Sequence, residues 1–167
     1  MKKVAFFTLI ILTAELLQST LFARSFFGVA PDLLLVVVIS FALLEGPTTG
    51  AMAGFSAGLL RDLLLDAPKG ITGLAYLIVG YVVGSVRPYV QSMSVFVPVA
   101  GILGGSLFGS ALYEILRALL GQQSLSFGRQ LRVVLLTAVY NTLLTPFVYP
   151  VIRKVVETYN REKVYRW

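Results

Sequence analysis

Long apolar stretches occupy most of the chain and are separated only by short polar segments. A helix needs about 20 mostly apolar residues to cross the hydrocarbon core of a bilayer. Six candidate spans lie at about residues 4–22, 31–44, 48–65, 71–86, 95–120 and 133–152, and a basic tail follows at 153–167. The connecting segments are too short to form a domain outside the membrane. The sequence therefore predicts a single integral-membrane domain, an all-α bundle of six transmembrane helices.

The composition agrees with this fold class. Of 167 residues, 57% are hydrophobic and 13% are charged, whereas about 25% are charged in a typical soluble domain. The net charge of +6 does not indicate nucleic-acid binding, because the basic residues lie near the chain ends and beside the apolar spans. We therefore expect contact with the lipid bilayer and no nucleic-acid partner.

The distribution of Lys and Arg predicts the orientation. An even number of spans places both chain ends on one side of the membrane, and this side also receives Lys2, Lys3, Arg87 and the basic tail. Cytoplasmic segments of membrane proteins are enriched in Lys and Arg. We therefore expect a multi-pass protein with its N- and C-termini in the cytoplasm.

Residue types that support catalysis or metal binding are scarce. The chain has no Cys and no His, which excludes thiolate chemistry and removes the commonest general base and metal ligand. Asp62 and Asp66 form one closely spaced acidic pair, but a Mg²⁺ site needs several converging oxygen ligands. We expect no enzymatic activity, no metal and no cofactor.

The third and fifth spans each carry glycines at four-residue intervals. On a helix this spacing forms a shallow groove without side chains, which lets another backbone approach closely. The groove can be filled by a helix of the same bundle or by a span of a partner protein, and the sequence leaves both interpretations open. The glycines concerned are Gly50, Gly54 and Gly58 in the third span and Gly101, Gly105 and Gly109 in the fifth.

Glu15 is an isolated acidic residue within the first span. Ionisable residues inside a membrane are costly and usually face the interior of the bundle. Glu15 would either bind a proton or cation there or make a structural contact, for which Asn141 or Tyr140 of the sixth span is a candidate.

Two further charged groups lie near the ends of the third and fifth spans. Arg61 and Asp62 should lie at the same depth as Glu114 and Arg117, so we expect cross-pairing of Asp62 with Arg117 or of Glu114 with Arg61. These residues would form structural ion pairs or the polar floor of a cavity that opens to the outside.

Two segments resemble the MreD family of rod shape-determining proteins. These are PDLLLVVVISFALLEGP and GAMAGFSAGLLRDLLLDAPKGITGLAYLIVGYVVG, and the likeness covers about residues 30–90. Its features are Pro31-Asp32 at the start of the second span, the Gly-Leu-x-x-Asp-Leu sequence at 58–63 and the Pro-x-Gly turn at 68–70. The turn at 66–69 departs from the family pattern because it is more highly charged.

The resemblance implies a bacterial inner-membrane scaffold of the cell-elongation machinery, without enzymatic activity. Such a scaffold binds the single-span protein MreC and, with it, supports the MreB cytoskeleton and a RodA-type peptidoglycan synthase with its penicillin-binding partner. A span of the MreC-type partner would dock on a glycine-lined groove that faces lipid. The outer loops near 62–70 and 121–132 would contact the extracytoplasmic part of that partner.

The same resemblance implies a six-helix arrangement similar to the S-component of energy-coupling-factor transporters. The alternative function is therefore a small-molecule-binding transporter subunit. In that case an outward cavity would be lined by Glu15, Arg61, Asp62, Glu114 and Asn141.

Overall fold

Six α-helices contain most of the residues that the structure describes. This structure is a computed structural model, and it describes residues 2–21, 28–65, 70–90, 96–122 and 126–164. The helices are α1 (Lys2–Leu21), α2 (Leu33–Glu45), α3 (Pro47–Leu64), α4 (Ile71–Val90), α5 (Phe96–Leu119) and α6 (Phe127–Val164). The predicted all-α bundle of six helices is confirmed. Three of these helices, α4, α5 and α6, are long and apolar enough to cross a membrane.

Helix α2 forms the centre of the bundle. Its sequence, LLLVVVISFALLE, is apolar on every side, and all residues from Leu33 to Leu43 are buried. A helix that is hydrophobic all round is expected to be surrounded by other elements, and α2 packs against each of the other five helices. It begins after Asp32, whose carboxylate accepts a hydrogen bond from the backbone N–H of Leu35 at 3.2 Å. It ends at Glu45, and Gly46 follows with a φ of 99°, a conformation that favours glycine.

Helices α3 and α4 form an antiparallel pair in backbone-to-backbone contact. A Cβ atom added at Gly50, Gly54 or Gly58 of α3 would come closer than 3.0 Å to backbone atoms of α4. Gly80 and Gly84 of α4 make the reciprocal approach to α3. The glycine groove of the third span is therefore filled by the chain's own α4, and a partner span has no room on this face.

The glycines of α5 accommodate side chains instead of a backbone. Three residues of α2, spaced four apart, form a ridge that fits into this row, the ridge-in-groove arrangement of packed helices. A Cβ atom added at each of these α5 glycines would lie 2.8–3.1 Å from a side chain of α2. The pairs are Leu43 with Gly101, Ile39 with Gly105 and Leu35 with Gly109.

Helix ends differ from the span boundaries expected from the sequence. Helix α4 continues past Arg87 and Pro88 to Val90, although Pro88 removes one backbone donor. Helix α6 has 38 residues, because the segment before residue 133 and much of the basic tail both continue the helix. At 1.5 Å per residue it is about 57 Å long, so it extends well beyond a hydrocarbon core of about 30 Å.

Candidate functional site

A polar cavity of about 300 Å³ lies at one end of the bundle. We call this end, where α3 ends and α4 begins, the outer end, and the end where α2 ends and α3 begins the inner end. The cavity is lined by residues 28–30 and the beginning of α2, by the first turns of α4 and α6, by the end of α3 and by the second half of α5. Its polar lining residues are Asp32, Arg61, Thr72, Tyr76, Ser110, Tyr113, Glu114 and Thr137.

Asp32, Arg61 and Tyr76 form a closed hydrogen-bonded cluster on one wall of the cavity. Arg61 Nη1 lies 2.7 Å from Asp32 Oδ1 and donates a second hydrogen bond of 2.7 Å to the hydroxyl of Tyr76. The Tyr76 hydroxyl in turn donates to Asp32 Oδ2. The side chains of Arg61 and Asp32 are only 22% and 16% exposed, so their charges are largely removed from solvent. The cluster joins α2, α3 and α4 at their outer ends.

Asn141 links α6 and α5 to Asp32 at the start of α2. Its Oδ1 accepts a hydrogen bond of 2.8 Å from the backbone N–H of Asp32, and its Nδ2 donates one of 2.9 Å to Ser106 Oγ. Asn141 is completely buried, and a buried amide needs such partners. The start of α2 is therefore held by Arg61 from one side and by Asn141 from the other.

Asp62 connects the end of α3 to the beginning of α4. Its Oδ2 accepts hydrogen bonds from the backbone N–H groups of Gly70, Thr72 and Gly73 at 2.8, 3.1 and 3.3 Å. These are free donors at the beginning of α4, where a negative charge is stabilising. Asp62 therefore caps a helix and does not line the cavity.

The ion pairs expected between the third and fifth spans are not formed. Arg61 pairs with Asp32, and Asp62 binds the backbone of α4. Glu114 and Arg117 lie on the same helix, with Arg117 Nη1 3.8 Å from Glu114 Oε1. The expectation was wrong because it rested on depth alone: neighbouring positions on a helix point about 100° apart, so residues 61 and 62 face different helices.

Glu15 is buried but lies outside the cavity lining. It is 6% exposed, and its Oε2 has no hydrogen-bond partner among the described residues. Asn141, one of its expected contacts, is bonded to Asp32 and Ser106 instead. Of the five residues expected to line a cavity, Arg61 and Glu114 are among the lining residues of this one.

Two members of the cluster were missed as site residues. From the sequence, Asp32 is identified only as part of the Pro31-Asp32 feature at the start of the second span, and Tyr76 is not singled out. A usable signal existed, because Asp32 and Arg61 are opposite charges at the outer ends of consecutive antiparallel spans. Tyr76 lies two turns into α4, facing the glycine row of α3 at Gly54.

The charged groups that line the cavity are paired, Arg61 with Asp32 and Glu114 with Arg117 of the same helix. The described residues contain no group of three acidic, Cys or His side chains that could hold a metal. The other polar lining groups outside the cluster are hydroxyls, on Thr72, Ser110, Tyr113 and Thr137.

The chain was also compared with known proteins. A family model described as rod shape-determining protein MreD matches residues 1–155, which includes every residue of the cavity. No curated protein and no solved structure matches the chain.

Proposed function

Because this chain belongs to the MreD family of rod shape-determining proteins, we propose that it is a non-enzymatic membrane scaffold that binds an MreC-type single-span partner. It would act in the bacterial inner membrane, with both termini in the cytoplasm. Through this partner it would support the MreB cytoskeleton and a RodA-type synthase with its penicillin-binding protein.

The observation that carries this proposal is the polar cavity at the outer end. The glycine row of α3, which could have received a partner span, is occupied by α4, and side chains of α2 fill the positions where the α5 glycines have none. Gly101 and Gly105 of α5 also border an open groove beside α4. The outer cavity offers the hydroxyl groups of Ser110, Tyr113 and Thr137, beside the cluster of Asp32 and Arg61. We infer that the partner segment just outside its span enters this cavity.

The alternative, a transporter subunit similar to an S-component, would also use the cavity. Its volume of about 300 Å³ is at the lower limit of small-molecule pockets, which span roughly 300–1,000 Å³. Arg61, Asp32 and Tyr76 are bonded to each other, so their release would cost free energy. Both observations count against a polar small-molecule ligand, whereas the family match supports a role in cell shape.

A Ser110→Trp variant tests the proposed docking site. Ser110 lies on α5 at the cavity wall and is partly buried, so an indole at this position fills the space that the partner segment needs. We expect co-purification of the MreC-type partner to fall by about tenfold or more, equivalent to at least about 1.4 kcal/mol of binding free energy.

Ser56→Trp is the matched control, because Ser56 is exposed on α3 and does not line the cavity. This variant should retain the partner at the wild-type level. Normal co-purification with Ser110→Trp, from protein that elutes like the wild type, would refute docking in the cavity. A small molecule that raises the melting temperature of the wild type, but not of Ser110→Trp with its filled cavity, would favour the transporter subunit.

A further inference from the structure

A second open feature, the α4–α5 groove, lies on the lipid-facing side of the bundle. It has a volume of about 470 Å³ and is lined almost entirely by apolar side chains. Among its lining residues, Val82, Val86 and Phe108 are each more than 40% exposed. A Cβ atom added at Gly104 would meet no other atom within 4 Å, so the groove is open along the middle of α5.

An apolar groove within the membrane is filled by hydrocarbon, since water does not occupy apolar cavities. The acyl chains of the surrounding bilayer supply this hydrocarbon, and the charge at one end of the groove distinguishes a phospholipid from a partner helix.

Arg87 does not line this groove, but it lies one helical turn beyond Val83, which does. Its Nη1 would lie 3.6 Å from a Cβ atom added at Gly46, so Arg87 supplies a positive charge just past the inner end of the groove. Gly46 lies one turn beyond Leu43, which lines the groove. Arg87 Nε is buried and has no hydrogen-bond partner in the described part of the chain. A cation of this kind beside an apolar groove complements the phosphate of a phospholipid.

The beginning of α3 adds to this positive potential. Gly46 is its N-cap and Pro47 follows it, and no side chain caps the helix. The positive end of the α3 dipole therefore lies beside Arg87, where an anion would be stabilised.

We propose that the α4–α5 groove and Arg87 together bind one anionic phospholipid, with an acyl chain in the groove and the headgroup phosphate at the guanidinium group. This site is at the inner end of the bundle, so it is independent of partner docking in the outer cavity and can be tested on the isolated chain.

The test is lipid binding to the purified chain in a neutral detergent, read by native mass spectrometry. Phosphatidylglycerol and phosphatidylcholine with identical acyl chains are titrated separately. We expect phosphatidylglycerol to bind roughly tenfold more tightly, a preference that the charge-assisted hydrogen bond to Arg87 can supply. Arg87→Gln should remove this preference, and Arg87→Lys should retain part of it.

Two further variants separate a built site from general attraction of charges. Lys154→Gln removes an exposed basic residue at the same end of the bundle, and it should leave the preference unchanged. Gly104→Leu fits the open space of the groove and should weaken the binding of both lipids. This second measurement does not depend on whether the Arg87 variants fold.

Three results would overturn the proposal. The first is equal binding of both lipids to the wild type, and the second is a loss in Lys154→Gln that equals the loss in Arg87→Gln. The third is a photoreactive residue at position 104 that cross-links a protein span, and no lipid, in native membranes.

Discussion

Replacing Gly54 by leucine is expected to prevent formation of the folded bundle. A Cβ atom at this position would come closer than 3.0 Å to the backbone carbonyl group of Tyr76, which cannot move aside like the end of a flexible side chain. Overpacking typically costs about 1–3 kcal/mol and sometimes more, and here α4 would have to separate from α3 along its length. Because Tyr76 also belongs to the polar cluster, the variant should disrupt the outer cavity as well. Size-exclusion chromatography and thermal unfolding in detergent measure the effect.

Gly104→Leu is the matched control for this prediction. It makes the same substitution in a membrane-spanning helix, but the added side chain enters open space. We expect this variant to elute and unfold like the wild type, with a small gain in helix propensity, since glycine is unfavourable in helices by about 1 kcal/mol. Equal stability of Gly54→Leu and Gly104→Leu would contradict the packing described for α3 and α4.

Arg61→Ala is expected to destabilise the protein by about 3 kcal/mol. Removing one partner of a buried ion pair leaves the other charge uncompensated, which costs about 3–5 kcal/mol. The lower figure applies because the side chains of Arg61 and Asp32 are still 22% and 16% exposed. The substitution also removes the hydrogen bond that Arg61 donates to the hydroxyl of Tyr76. Reversible unfolding in mixed micelles gives the change in the free energy of unfolding.

A double-mutant cycle isolates the contribution of the pair. Asp32→Asn combined with Arg61→Gln removes both charges, and the double variant should be less destabilised than the sum of the two single variants. Arg153→Ala is the control, because Arg153 and Glu157 form an ion pair whose side chains are 60% and 52% exposed. Such a pair contributes about 0–1 kcal/mol. If Arg61→Ala costs no more than Arg153→Ala, the cluster does not hold the outer end together.

The sequence was sufficient for the fold class and for the positions that pack most closely. Apolar stretches predicted six helices, and a four-residue glycine repeat predicted grooves on α3 and α5. The repeat does not determine which element fills a groove, because glycine admits either a backbone or a side chain. The structure contains both cases: Gly54 meets the backbone of α4, and Gly105 meets the side chain of Ile39.

The charged residues show why the site was harder to predict than the fold. Span boundaries predict how deep Arg61 and Asp62 lie, but the helix that each one faces depends on how α3 is rotated against its neighbours. This rotation is set by the contacts of Gly50, Gly54 and Gly58 with α4. With that face fixed, Arg61 lies next to Asp32, and Asp62 lies next to the first turn of α4.

Site-specific photo-cross-linking in bacterial membranes tests the central claim most directly. A photoreactive amino acid at Ser110, in the cavity, is compared with one at Ser56, on the exposed face of α3. Partner docking in the outer cavity predicts a covalent adduct between position 110 and the MreC-type protein, at the segment just outside its span, and little or no adduct from position 56. Cross-linking of the partner from position 56 but not from position 110 would contradict the account.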